Sequence, residues 1–79
     1  MGVTEDLADA LAKDVLDAVD AMGDPTLIDD IARTLGTSST VTEEAFMTAI
    51  RVRTAEARAR KLLKDRLTKA AARRKAAPE

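Results

Sequence analysis

Residues 42–77 read TEEAFMTAIRVRTAEARARKLLKDRLTKAAARRKAA and contain neither glycine nor proline. Most of the stretch is alanine, arginine, lysine, glutamate and leucine, which are the strongest helix formers. The stretch therefore predicts a single helix of roughly 34 residues, about 50 Å long at 1.5 Å per residue.

The start of this long helix can be read in two ways. Thr40 as the N-cap would form a capping box with Glu43, whereas Thr42 as the N-cap would place Val41 against Phe46 as a hydrophobic staple. We favour Thr42, because the staple gives the only aromatic ring of the chain a local partner.

Two shorter helices are predicted before the long one. Apolar residues recur every three or four positions over residues 4–22 and 25–35, which is the spacing of one buried helix face. Thr4 is expected to cap the first helix and Asp24 the second. Gly23 supplies the left-handed residue that commonly closes a helix. No segment alternates with the period of a strand, so the predicted fold class is all-α.

The lengths of the helices predict the architecture. The first helix spans about 28 Å and covers only half of the third, so we expect two short helices packed on the N-terminal half of a long C-terminal helix. Leu62, Leu63 and Leu67 then have no partner within a monomer, and we expect them to form the interface of an oligomer, in the first place a dimer. The alternative is a solvated helix end whose leucines are only partly covered.

The domain boundaries follow from the same reading. Residues 1–69 are predicted to form a single helical domain, with the long helix over residues 42–69 or longer. Residues 70–79, AAARRKAAPE, have no large apolar side chain and are predicted to be a frayed basic tail.

Charge divides the chain into two halves of opposite sign. Residues 1–50 carry eleven acidic side chains against Lys13 and Arg33, a net charge of −9. Residues 51–79 carry eleven basic side chains against three acidic ones, a net charge of +8. The total of −1 hides this division, which points to the partners of the chain.

The basic half is the candidate binding surface, for nucleic acid or for an acidic protein partner. Neutralisation of phosphates by such a surface produces strongly salt-dependent nucleic-acid binding. The alternative is that the cations face the aspartates of the first helix, in the same chain or in another copy. The candidate residues are Arg51, Arg53, Arg58, Arg60, Lys61, Lys64, Arg66, Lys69, Arg73, Arg74 and Lys75.

Several classes of function find no support in the composition. The chain has no cysteine and no histidine, which excludes thiolate and imidazole metal ligands and the usual nucleophile–histidine systems. The carboxylates near the second helix do not follow the spacing of a calcium loop. We therefore predict no catalytic residue, no metal site and no cofactor. No apolar run approaches the length of a membrane span, so we expect a cytoplasmic protein without a membrane partner.

The sequence IARTLG, Ile31–Gly36, resembles the first half of many helix-turn-helix DNA-binding proteins. The resemblance covers residues 31–50. It implies that Ala32 lies close under the second helix of the motif, that Gly36 makes the turn, and that a recognition helix near residues 41–50 enters the major groove.

The succession of a small helical unit and a long helix also resembles the architecture of phage small terminase subunits, in which a long helix serves assembly. This resemblance implies an oligomeric adaptor for DNA handling and assigns no residues. Together with the basic helix, it predicts a non-catalytic, nucleic-acid-associated regulator or DNA-handling adaptor. The alternative is a protein–protein interaction module or homo-oligomeric adaptor whose basic helix docks on acidic protein surfaces.

Overall fold

The computed structural model describes residues 2–76 and contains three α-helices in this part of the chain. They are α1 (Val3–Met22), α2 (Thr26–Gly36) and α3 (Thr40–Ala76). The all-α prediction is thereby confirmed. Among these three helices, none is long and apolar enough to cross a bilayer.

Helix α1 begins and ends at glycines. It starts at Val3, one residue before the predicted cap, and the backbone N–H of Gly2 donates a hydrogen bond of 3.1 Å to the carboxylate of Glu5. Gly23 closes the helix in the left-handed conformation, with φ at 69°, as predicted. Its N–H donates to the carbonyl oxygen of Val19 at 2.7 Å, which satisfies one of the carbonyl groups left over at the helix end.

Helix α2 is capped by the aspartate that the sequence indicates. Asp24 accepts hydrogen bonds from the backbone N–H of Thr26 at 3.1 Å and from the Thr26 hydroxyl at 2.6 Å. The helix continues through Gly36, one residue further than predicted. Gly36 is therefore helical, and the turn that leads to α3 is made by the residues after it.

The favoured start of α3 at Thr42 is wrong, because the helix begins two residues earlier at Thr40. The oxygen of the Ser39 side chain accepts hydrogen bonds from the backbone N–H and the hydroxyl of Thr42, at 3.1 and 2.9 Å. Ser39 thus performs the capping role, and the chain enters the helix before either predicted cap. Val41 stays largely exposed instead of serving as a staple.

The core lies where α1 and α2 pack on the first half of α3. Its fully buried members come from all three helices and are mostly small, and the list is Ala8, Ala12, Val15, Ala32, Phe46 and Ile50. Asp6 lies beside residues 41–52 of α3 and Asp17 beside residues 52–57, so α1 and α3 run in the same direction. Helix α2 returns the chain between them.

Helix α3 extends far beyond the core. It contains 37 residues, whereas α1 contains 20, and the last core residue along the chain is Ile50. The predicted frayed tail is helical as far as Ala76, since alanine, arginine and lysine all favour helix. Residues 77–79 of that predicted tail lie outside the described residues.

Candidate interaction surface of helix α3

The second half of α3 projects from the core with almost no protein around it. Every residue from Ala55 to Lys69 is exposed, as are residues 71–75, and only Ala70 is partly covered. We call residues 55–76 the distal segment. It is about 33 Å long at the rise of an α-helix, which makes it the largest uncovered element among residues 2–76.

Two of the eleven predicted binding residues lie on the compact half of the molecule. Arg53 donates two hydrogen bonds to the carboxylate of Asp9 on α1, at 2.7 and 2.9 Å. These hydrogen bonds lower the pKa of Asp9 below 3.8 and raise the pKa of Arg53. Arg51 is exposed beside Glu43 and Glu44. Both arginines therefore sit in acidic surroundings, away from the other cations.

Arg60 is paired within the distal segment. Its guanidinium donates hydrogen bonds to the Glu56 carboxylate one turn earlier, with Nε at 2.9 Å. The hydrogen bonding lowers the pKa of Glu56 and raises that of Arg60. This pair is the i,i+4 arrangement that supports an exposed helix.

The remaining cations have no such partner. They are exposed, and none forms an ion pair with another residue between positions 2 and 76. Three of them border one shallow surface depression, so their charges act on the same side of the helix; these three are Arg66, Lys69 and Arg73. The others are Arg58, Lys61, Lys64, Arg74 and Lys75.

An apolar stripe, interrupted at Glu56, runs along α3 from Val41 to Ala70. Its members lie three or four positions apart, or seven across Glu56, and therefore share one helix face. Val41 and Val52 are 67% and 62% exposed, and Leu63 and Leu67 are 56% and 62% exposed. We define the apolar stripe as Val41, Ala45, Ala49, Val52, Ala59, Leu63, Leu67 and Ala70.

The helix geometry divides the three leucines predicted as an interface. Leu63 and Leu67 are one turn apart and belong to the apolar stripe. Leu62 precedes Leu63 by one residue and lies about 100° around the helix from it, on the side of Arg66 and Arg73. All three are exposed, but only two of them form a common surface.

A groove with an apolar floor and acidic walls lies between α1 and the first half of α3. The apolar stripe supplies the floor, through Val41, Ala45, Ala49 and Val52. The walls carry four carboxylates, from Glu5, Asp6, Asp9 and Glu44. We call this the acidic groove. This groove was not among the predicted surfaces, although the three- and four-residue spacing of the stripe upstream of residue 52 was a usable signal.

The implied recognition helix presents acidic and apolar side chains. Ala32 is buried in the core, but Gly36 is part of α2 instead of forming the turn. Within residues 41–50, the exposed side chains are those of Val41, Glu44 and Thr48. A negative charge at this position opposes entry into the groove of a polyanion.

The acidic side chains of the described residues do not gather into a metal site. Among residues 2–76, no group of three or more carboxylates is placed to hold an ion.

Comparison of the chain with protein-family models, with curated proteins and with solved structures finds no match.

Proposed function

We propose that this chain is a non-catalytic binding protein of the cytoplasm that contacts nucleic acid through the distal segment of α3 and works as a homo-oligomer. In this reading it is a small regulator or a DNA-handling adaptor. The observation that carries the proposal is a set of eight exposed cations on a helix that projects from the core, none of them ion-paired with another of residues 2–76. The same segment holds only two acidic residues, Glu56 and Asp65.

The chemistry of the exposed cations suits phosphate. Arginine presents a planar fork that binds a phosphate through two hydrogen bonds, and lysine adds a mobile point charge. Arg66, Lys69 and Arg73 share one side of the helix, so they can contact neighbouring phosphates together. Each neutralised phosphate releases counterions, which provides affinity that does not depend on base sequence.

The proposed contact is with the nucleic-acid backbone and not with base edges. The distal segment has no aromatic side chain to stack on an unpaired base. The helix that would read bases in a helix-turn-helix carries Glu43 and Glu44 near its start. We therefore expect binding with little preference for sequence.

A second candidate is an interaction module that docks on acidic protein surfaces. The observation in its favour is the hydrogen-bonded pair between Arg53 and Asp9, which joins the basic helix to the acidic first helix. This pair is an instance, within one chain, of the contact that the alternative requires between molecules.

Fluorescence anisotropy with random-sequence duplex DNA tests the proposal at low and at moderate salt. We expect binding at low salt and a steep loss of affinity as salt rises, because phosphate contacts dominate. The variant Lys69→Gln/Arg73→Gln should bind more weakly, and its plot of log K against log salt should be shallower by about 2.

The matched control is Lys13→Gln/Arg33→Gln. It removes the same charge from the compact half, where both cations already contact carboxylates. The control should keep the salt slope of the unmodified protein. Absence of binding to duplex and single-stranded nucleic acid at low salt would contradict the proposal and favour the acidic-protein candidate.

A further inference from the structure

We infer that the apolar stripe joins two copies of this chain, packed antiparallel about a twofold axis near Glu56, so that the distal segment of each copy fills the acidic groove of the other. The inference rests on the self-association included in the proposed function and specifies its geometry. A second copy of the chain then covers two surfaces that are exposed in the monomer, the leucines of the distal segment and the acidic groove beside α1.

The stripe is complementary to itself when it is reversed. It extends over about 44 Å from Val41 to Ala70, and Glu56 lies at its midpoint. In the antiparallel arrangement each large side chain meets a small one, which lets two helices approach closely and interdigitate. The facing pairs are Val41 with Ala70, Ala45 with Leu67, Ala49 with Leu63, and Val52 with Ala59.

In the antiparallel arrangement, charged side chains beside the apolar stripe of one copy also meet side chains of opposite charge in the other. Arg60 and Lys64 follow Arg53 by two and three helical turns and lie on the side of α3 that α1 occupies. A twofold axis perpendicular to the helix pair keeps each side of α3 on the corresponding side of its partner. Lys64 of one copy therefore meets Asp6 on the groove wall of the other, whereas Asp9 and Arg60 keep the partners that they have within one copy.

The opposite border of the stripe is also matched. Arg66 lies three residues after Leu63 and about 60° around the helix from it. It is therefore on the side of the stripe opposite to Arg60. Glu44 lies on that same side of the acidic groove. Antiparallel pairing brings Arg66 of one copy to the level of Glu44 in the other, so both walls of the groove meet cations.

A parallel pair of α3 helices lacks these contacts. It would place the two distal segments side by side, where cations of like sign repel, and it would leave both acidic grooves empty. Opposite charges across an interface select the orientation of partners even where they add little affinity. The charge division of the chain therefore favours the antiparallel form.

Thiol cross-linking tests the arrangement directly, because the natural chain has no cysteine. The variants Val41→Cys and Ala70→Cys are treated with a short bismaleimide, first separately and then as a mixture. Antiparallel packing predicts a covalent dimer in the mixture and none in either variant alone. In a parallel dimer positions 41 and 70 are about 44 Å apart, and each variant alone would cross-link.

The matched control replaces Ala70→Cys by Ala72→Cys. Position 72 lies two residues further, about 200° around the helix, and should yield far less product with Val41→Cys. Product in the separate variants would overturn the antiparallel geometry while leaving self-association in place. A dimer by sedimentation with no product in the mixture would also overturn it.

Sedimentation of two adjacent leucine variants provides an independent readout. Leu62 and Leu63 are 54% and 56% exposed in one copy, so their replacement by serine alters the monomer alike. Only Leu63→Ser should weaken the dimer, by at least about a hundredfold, since the dimer buries two copies of this side chain. Leu62→Ser should stay within about threefold of the unmodified protein.

Equal effects of the two serine variants would contradict the assigned face of α3. An unmodified protein that remains monomeric at high micromolar concentration would overturn both the inference and the oligomer part of the proposed function. Nucleic-acid binding is measured separately by anisotropy, and its failure would leave the cross-linking result unaffected.

Discussion

Phe46 is the only aromatic residue of the chain, and its side chain is fully buried in the core formed by all three helices. Ala8 and Ala12 belong to the same buried cluster, and their methyl groups cannot extend to fill the space if the ring is removed. The free energy of unfolding of the compact half therefore depends heavily on this one side chain.

We predict that Phe46→Ala lowers the free energy of unfolding by about 3–5 kcal/mol, because the lost ring leaves a cavity. A domain of this size has little stability in reserve, so most of the cooperative transition should disappear. Urea unfolding followed by circular dichroism measures the change. Val3→Ala is the control, since Val3 is 75% exposed and its truncation should alter the midpoint only slightly.

The pair of Asp9 and Arg53 should make the stability of the folded protein depend on pH in the acidic range. Hydrogen bonds from Arg53 hold the pKa of Asp9 below 3.8 in the folded protein, so the unfolded chain takes up a proton at higher pH than the folded one. The contribution of the pair is then complete above that value and is lost as the pH falls through the folded pKa.

The variant Asp9→Asn tests this dependence. Its urea midpoint should lie below that of the unmodified protein near neutral pH, and the difference should shrink as the pH is lowered below about 3.8. The effect is expected to be modest because the pair is exposed to solvent. Asp14→Asn, an exposed change on the same helix, should leave the midpoint unchanged. A difference that persists at the lowest pH would indicate another role for Asp9.

At the scale of the element, α3 combines two environments in one unbroken helix. Its first half packs on α1 and α2, whereas the distal segment relies on helix propensity and the pair of Glu56 with Arg60. Most helical stability in proteins comes from tertiary packing and not from propensity, and the distal segment has almost no packing partners in the monomer. The distal segment should therefore open and close in the monomer and become protected when a partner covers it.

Hydrogen exchange at two protein concentrations checks this expectation. In dilute solution the amides of residues 55–76 should exchange much faster than those of residues 43–54. At high concentration the distal amides should slow, while the amides of α2 serve as an internal control because the proposed contact leaves that helix unchanged. Distal exchange that does not depend on concentration would argue against a partner of the same chain.

The ends of the helices show which local features the sequence reveals. Gly23 and Asp24 act where they were expected, because a left-handed glycine and a capping aspartate need only neighbouring backbone groups. The start of α3 was missed, since Ser39, Thr40 and Thr42 can all cap a helix. The path of the chain out of α2 decides which hydroxyl reaches the free N–H groups.

At the scale of the whole molecule, the chain is elongated. The described residues measure 64 × 30 × 13 Å and their radius of gyration is 17.9 Å, compared with about 12 Å for a compact domain of this length. The excess is the distal segment. In a molecule of this shape the acidic compact half and the basic distal segment are both exposed. Each can therefore contact the oppositely charged part of another copy.

A charge exchange between the halves tests that pairing. Lys64→Glu should weaken dimerisation by about tenfold at low salt, because it places a carboxylate against the acidic groove of the partner. Adding Asp6→Lys to the same chain should restore much of the affinity, and both effects should fade at high salt. Analytical ultracentrifugation measures the dissociation constants, and failure of the second change to compensate would contradict the assigned contact.

Helix number, helix type and the division of charge were determined by the sequence alone. They arise from propensity, three- and four-residue periodicity and the absence of glycine and proline between residues 42 and 77, all of which act locally. The excess length of α3 over α1 was also predictable, since it follows from the rise per residue.

Only the tertiary structure decided which surfaces of the compact half remain uncovered. The direction of α1 along α3 brings the Asp6 and Asp9 side beside Val41 and Val52, and so creates the acidic groove. The same packing joins Arg53 to Asp9 and leaves eight of the distal cations without an ion pair among residues 2–76. Contacts of this kind depend on how separate helices are placed against each other, and no local pattern of residues encodes that placement.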